Sequence, residues 1–221
     1  MKNVIQYKFF HIRTAMFLIA AVIGVCFYAS TLQAAEYPWQ LRVDKQGIKV
    51  YTRKVDASPI LEFKADVVVD APISKVIPLF EDVETARLWF YQCTQSNVVA
   101  REGSQQKAVY IILRLPWPVS ARDCVFRMSK SVDTVTGALT YALVAIPDRV
   151  SRKPGIVRVP YLRAFWHFLS LPDGRTKIDF QQHSDPGGFI PAFLSNTIVV
   201  DMPYNSLKNL RALIMASKTR K

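Results

Sequence analysis

Leu115-Pro116-Trp117-Pro118-Val119-Ser120-Ala121-Arg122-Asp123-Cys124-Val125-Phe126 ends one hydrophobic strand, turns through a loop tipped by Trp117, and starts another strand at Arg122-Asp123. A tight hairpin places Asn-Gly or Gly-Gly between its strands, whereas Pro116 and Pro118 fix φ and withhold amide donors. The connection must therefore bulge out as a semi-rigid loop, carrying an aromatic side chain to an edge or a mouth. On its two sides apolar residues alternate: Val109, Ile111, Leu113 and Leu115 before it, Cys124, Phe126 and Met128 after it. Rows of this period make one buried face of a sheet.

Upstream, Gly47 to Lys54 and Ile60 to Val69 read as the first strands. The second sets Leu61, Phe63, Ala65, Val67 and Val69 against Glu62, Lys64, Asp66 and Asp70, so one face is buried. From Pro72 the period becomes helical, with Ile73, Val76, Ile77, Phe80 and Val83 on one stripe, Asp70 or Ala71 near the cap and Pro72 in the first turn. Pro78 is expected to kink this helix or split it.

After Trp89 strands return at Gln95 to Arg101, Ala108 to Leu115, Asp123 to Val132, Ala138 to Ile146, Leu162 to Leu171 and Thr176 to Ser184. Turn signals at Glu102-Gly103-Ser104, Thr136-Gly137 and Pro172-Asp173-Gly174 make most of the connections short, which predicts an antiparallel meander. Pro186-Gly187-Gly188 stops the last strand. Ile190 to about Lys218 then reads as one helix of about 29 residues, or ~44 Å, with Pro203 bending it near its middle. Phe189, Ile190, Phe193, Leu194, Ile198, Val199, Met202, Leu207, Leu210, Leu213 and Ile214 give it more apolar surface than a lone surface helix needs, so it must lie across the concave side of the sheet. Such a grip encloses either a packed core or a cavity, and periodicity does not distinguish the two.

Residues 1–34 read as a targeting segment: Lys2, Lys8 and Arg13 precede an uncharged apolar run from Thr14 to Leu32 that ends at Gln33-Ala34-Ala35-Glu36. Leu32 and Gln33 fit the small-x-small cleavage pattern poorly, and the run has about the ~20 residues of a membrane span. A cleaved signal and a retained anchor both stay open. The implied location is outside the cytoplasm: periplasmic in a bacterium, secretory otherwise. Removing the three leader cations from 29 Lys+Arg leaves 26 against 17 Asp+Glu, still a net +9. The remaining residues, 35–221, suffice for one domain with a sizeable core and show no repeat or low-complexity linker. Cys93 and Cys124 are expected as buried free thiols, since strand counting puts Cys93 beyond one end of the sheet and Cys124 well inside it.

Several stretches, in order, resemble the StAR-related lipid-transfer (START) family: Asp70-Ala71-Pro72, Arg87-Leu88-Trp89, Trp117 through Asp123, Lys177-Ile178-Asp179-Phe180-Gln181-Gln182-His183-Ser184-Asp185-Pro186-Gly187-Gly188, and Phe189-Ile190-Pro191 through Met202-Pro203-Tyr204-Asn205-Ser206-Leu207-Lys208-Asn209-Leu210-Arg211. Each is weak alone; their order over about 170 residues is specific. The resemblance implies an α+β helix-grip fold, a curved antiparallel sheet closed by the long C-terminal helix around an apolar cavity of ~300–1,000 Å³. It also implies one lipid or sterol inside, reached by the Trp117 loop and the C-terminal helix. The positions expected to line that space are Phe63, Val67, Trp89, Val109, Ile111, Leu113, Phe126, Met128, Tyr141, Leu143, Trp166, Phe168, Phe180, Phe193 and Met202, with Trp117 at the mouth. Trp89, Trp166, Phe168 and Phe180 are core residues in any reading, and Trp117 either marks the mouth or packs on the sheet rim.

One departure bears on the ligand. Several lipid-binding relatives carry a cavity-facing arginine six residues after the motif arginine, and Met128 stands there, with Arg127 on the opposite face. No buried charge pair for a phosphate is evident, which favours a weakly polar ligand such as a sterol, a fatty acid or a diacyl tail. Arg122 and Asp123 read as structural partners of loop backbone groups. Arg149, Arg152, Lys153, Arg158 and Arg163 read as a solvated basic loop or, secondly, as attraction to an anionic membrane. The exported class and the lack of a stacking platform argue against nucleic acid. His167 and His183 lack partners at zinc spacing, so neither a metal nor another cofactor is expected.

Two functions remain. One is a non-catalytic, monomeric carrier that binds and transfers a hydrophobic lipid. The other is a helix-grip enzyme of the aromatase/cyclase kind, for which the inward groups on offer are mainly Tyr141, Thr176 and Gln182.

Overall fold

The computed structural model describes residues 37–190 and 192–219, with backbone alone for Ala192, Phe193, Lys218 and Thr219. The leader expected over residues 1–34 and the side chain of Phe193 lie outside the described residues. From Tyr37 on, the chain forms one compact unit.

Three strands open it, β1 (Gln40–Lys45), β2 (Ile48–Val55) and β3 (Ser58–Val69). The first turn puts Gln46 and Gly47 at φ 55° and 69°, the left-handed pair that a two-residue hairpin needs to match strand twist. β1 escapes the strand pattern because five of its six residues are exposed; it holds by pairing with β2. In β3 the expected alternation is present, with Phe63, Ala65, Val67 and Val69 buried.

Helix α1 (Ile73–Glu81) follows, then a 3-10 turn (Val83–Thr85) and the short α2 (Ala86–Trp89). Pro78 sits inside α1 without splitting it; the break comes four residues later at Asp82, whose side chain accepts the Glu84 N–H at 3.2 Å. The cap, rather than the proline, ends the helix. The return meander is β4 (Cys93–Arg101), β5 (Gln106–Leu113), β6 (Arg122–Val132), β7 (Leu139–Ala145), β9 (Tyr161–Ser170) and β10 (Thr176–Asp185). β10 pairs with β9 and β3, joining both meanders in the order β1-β2-β3-β10-β9-β7-β6-β5-β4. This curved sheet is antiparallel except for the two-residue β8 (Val157–Arg158), which runs parallel to the start of β6. Helix α3 (Ala192–Thr219) closes the grip, packing chiefly on β3 and β2 with Leu207, Leu210 and Ile214 buried. It continues through Pro203, and its Ser206 Oγ accepts the Tyr91 N–H at 3.0 Å.

The two helical layers cover the concave face differently. α1 drops the Phe80 ring among Tyr141, Trp166 and Phe168, at centroid distances of 4.9, 5.1 and 4.8 Å. These edge and tilted contacts fill one half of the grip. The other half stays open.

Candidate ligand cavity

The open half is a cavity of about 150 Å³. β5 and β6 supply its apolar wall because register sets Val109 opposite Phe126 and Ile111 opposite Cys124, on the inward face that alternation requires. Of the expected lining, Phe63, Trp89, Val109, Ile111, Leu113, Phe126, Met128, Leu143, Trp166, Phe180 and Met202 border this space. Val67, Tyr141 and Phe168 do not: they are buried in packed core. Phe80 covers Tyr141 and Phe168, and Val67 stands in register between Ile48 and Ile178. The same filling leaves the cavity below the expected ~300–1,000 Å³. Sequence reasoning missed Phe80 and Phe90 on the helical layer, Val159 just after β8, Leu162 at the start of β9, and Ile198 and Val199 on α3. The apolar stripes of α1 and α3 carried that signal; which stripe residues meet the cavity depends on how each helix docks.

Arg127 turns outward and ion-pairs with Glu102 at 2.9 Å, so Met128 is the inward residue, as its strand parity requires. Two of the three groups considered for acid-base chemistry are engaged outside the cavity. Tyr141 Oη donates to Glu81 at 2.6 Å, and burial plus that carboxylate push the phenol far above its ordinary value. Thr176 Oγ1 donates to the Ala71 carbonyl at 2.8 Å. Gln182 alone of the three borders the cavity. Cys93 and Cys124 line it as free, buried thiols, pushed by burial up to about 11 and about 12. A protonated thiol is a poor nucleophile. No Asp, Glu, His, Lys or Tyr lines the cavity among the described residues.

Arg122 borders the cavity's end, Asp123 lies on the opposite face of β6 and does not, and the two belong to separate networks. Arg122, 3% exposed, donates to the carbonyls of Ser120 at 2.6 Å, Gly187 at 3.2 Å and Pro186 at 3.4 Å. It thereby ties the Trp117 loop to the β10–α3 connection, and burial lowers its pKa from the ordinary arginine value. Asp123 instead meets Arg158, with Nε to Oδ1 at 2.7 Å and Nη2 to Oδ2 at 2.9 Å, and accepts Tyr110 Oη at 3.0 Å. Burial works to raise the Asp123 carboxyl, but the Arg158 and Tyr110 hydrogen bonds and the Arg158 charge hold it below its ordinary value. Arg158 also donates to the carbonyls of Pro147, Val150 and Ser151. The expectation of a solvated loop therefore fails for Arg158, 4% exposed. Its two-residue strand β8, too short for periodicity to register, sets it directly across from Asp123.

At the same end Gly187 adopts φ 67°, and a Cβ there would stand 2.8 Å from the Arg158 carbonyl. Only glycine suits that close approach. Trp117 does not pack on the rim: it is 92% exposed on the 114–121 loop, and Phe189 is 88% exposed on the connection that Arg122 clamps to it. Leu115, Pro186 and Ile190, at the feet of the two loops, border the cavity.

The family model described as START domain matches residues 28–218. An uncharacterized protein of Pseudomonas aeruginosa is 33% identical over 195 residues, 88% of this chain and 93% of its own. Human phosphatidylcholine transfer protein is 23% identical over 176 residues, 78% of this chain and 81% of that one. Among solved structures, a STAR-related lipid transfer protein fragment from Xanthomonas axonopodis matches with a TM-score of 0.74 at 33% identity, covering 80% of this chain and 98% of that one. Human StAR-related lipid transfer protein 5 matches with a TM-score of 0.75 at 15% identity, over 92% and 97% of the chains, a likeness of fold. The curved sheet gripped by one long helix and the match across 28–218 agree: the chain belongs to the START domain family.

Proposed function

We propose that the protein is a non-catalytic carrier that binds one lipid in the cavity between α3 and the sheet and exchanges it at a membrane. The observation that carries this reading is the wall itself, mainly aromatic and aliphatic side chains with no carboxylate, imidazole, amine or phenol among them in the described residues. General acid-base catalysis needs such a group within hydrogen-bond reach of the substrate. Relatives named for phosphatidylcholine transfer support lipid as the ligand class. The basic leader and its apolar run support an exported carrier, periplasmic or secreted, held to a membrane if the leader is retained.

Exchange is proposed at the end carrying Trp117 and Phe189. Both rings are exposed, both loops reach the cavity at their feet, and an indole suits the headgroup level of a bilayer. The net +9 of residues 35–221 favours an anionic surface. In a transfer assay between vesicles, Trp117→Ala is expected to slow lipid exchange at least about fivefold. The same change should move stability by about 0.5 kcal/mol or less, as for an exposed side chain. Raising ionic strength should slow exchange from anionic vesicles and leave neutral ones unaffected. Unchanged exchange in Trp117→Ala would place the mouth elsewhere.

A further inference from the structure

Arg122 stands in the cavity wall as a buried cation without a counter-charge among the described residues. All three of its contacts are backbone carbonyls, and no carboxylate pairs with it among the described residues. Its neighbour shows the contrast: Asp123 gives both oxygens to Arg158, so that pair is neutral. Carbonyl dipoles offset part of the cost of burying a guanidinium, but they leave its full charge in a low-dielectric wall. Five N–H donors are available on the group and three are used. The wall also holds Ser195, whose buried Oγ has no partner among the described residues. Ser195 lies in the first turn of α3, just past the 186–188 segment that Arg122 clamps. Gln182 and Ser184 lead along β10 to the same segment and also line the cavity. Polar lining therefore gathers around Arg122 at the β10–α3 junction, while Ser96 Oγ and Trp89 Nε1, also buried without a partner among the described residues, stand elsewhere in the wall and the rest of the β5–β6 face is apolar.

We propose that the cavity takes a single-chain lipid with a carboxylate head, the carboxylate received by the Arg122 guanidinium and the Ser195 hydroxyl, the chain lying along Ile111, Phe126 and Met128. This deepens the carrier reading and rests on it. One unneutralised cation matches one negative charge, whereas a phosphate monoester brings nearly two and no second cation lines the wall among the described residues. A guanidinium fork also fits a carboxylate through two parallel hydrogen bonds. A space of about 150 Å³ is small for one chain and leaves no room for a second.

The test uses the full-length protein with cis-parinaric acid and its methyl ester, whose fluorescence rises on transfer to an apolar site. The acid is expected to bind about tenfold tighter than the ester, the size of one charge-assisted contact. Arg122→Gln should erase that preference by weakening the acid about tenfold while the ester stays within about twofold. Should Arg122→Gln fail to fold because the loop clamp is lost, Arg122→Lys keeps the charge and must retain a preference for the acid. Ser195→Ala, which breaks no clamp, should weaken the acid alone. Equal binding of acid and ester by the wild type, or equal weakening of both by Arg122→Gln, overturns the head-group assignment and leaves the carrier reading standing. Displacement of the acid by inorganic phosphate at equal concentration would mean a free oxoanion site and also overturns it. If the wild type binds neither probe, the carrier reading falls as well.

Discussion

On β9 and β7 the inward rings of Phe168 and Tyr141 lie beneath Phe80 of α1, while on β5 and β6 the inward Ile111, Leu113, Phe126 and Met128 border open space together with Ile198 and Met202 of α3. Both halves obey the same alternation of apolar and polar residues, and both are aromatic or aliphatic on the inner face. They differ in what comes down from above. A nine-residue helix delivers a ring into one half, whereas the other is spanned by a long helix whose side chains do not fill it. Inward alternation therefore specifies a buried face, and the covering layer decides whether that face becomes core or cavity.

The sharpest way to break this contrast is to truncate one residue in each half. Phe168→Ala removes a ring from a filled region and is expected to cost about 3–5 kcal/mol in chemical denaturation. Leu113→Ala enlarges a space that already exists, so its cost should fall toward the transfer term alone, about 2 kcal/mol or less. Equal losses would mean that the open half is packed core.

Asp123 sharpens the comparison at the start of β6, on the face away from the cavity, where polar rather than apolar contacts hold the loops. Asp123→Ala leaves Arg158 buried without its partner and should cost about 3 kcal/mol or more. Because the native carboxyl titrates below its ordinary value, the pair's contribution is complete above the unfolded value of about 3.9 and drains as pH falls through the lower native one. Acid unfolding curves should therefore separate wild type from Asp123→Ala at neutral pH and converge in strong acid. A gap that persists there would assign the loss to packing instead of charge.

A smaller effect tests the facing of β6. Met128→Arg puts a charge into the wall beside Phe126 and Leu143 and should cost about 1–3 kcal/mol or abolish binding of an apolar probe. Arg127→Met breaks a half-exposed pair with Glu102 and should cost about 1 kcal/mol or less. Reversed magnitudes would mean that β6 presents its other face.

Much of this architecture was legible because it rests on local periods. The alternation in β3, β5 and β6, the helical stripe after Pro72 and the glycine turns each follow from backbone geometry that neighbouring residues report. So the facing of Met128 and Arg127, the free thiols and the order of the elements could be read in advance. β1 and β8 could not: one is mostly exposed and the other only two residues long, and both exist through pairing with distant strands. Eleven of the fifteen expected lining residues border the cavity. Val67, Tyr141 and Phe168 share their pattern and do not, because Phe80 and the neighbouring strands reach them first.

By itself, the amino-acid sequence determined which residues face inward, where the chain turns, and that one long apolar helix must close the sheet, since these depend on dihedral preference and hydrophobic period alone. Tertiary structure alone decided which inward residues stay beside open space, that Arg158 rather than Arg122 neutralises Asp123, and that Arg122 stands in the cavity wall without a counter-charge among the described residues. Those outcomes depend on side chains far apart in the chain meeting at a few ångströms, where docking angle and register select the partner and no local pattern records it.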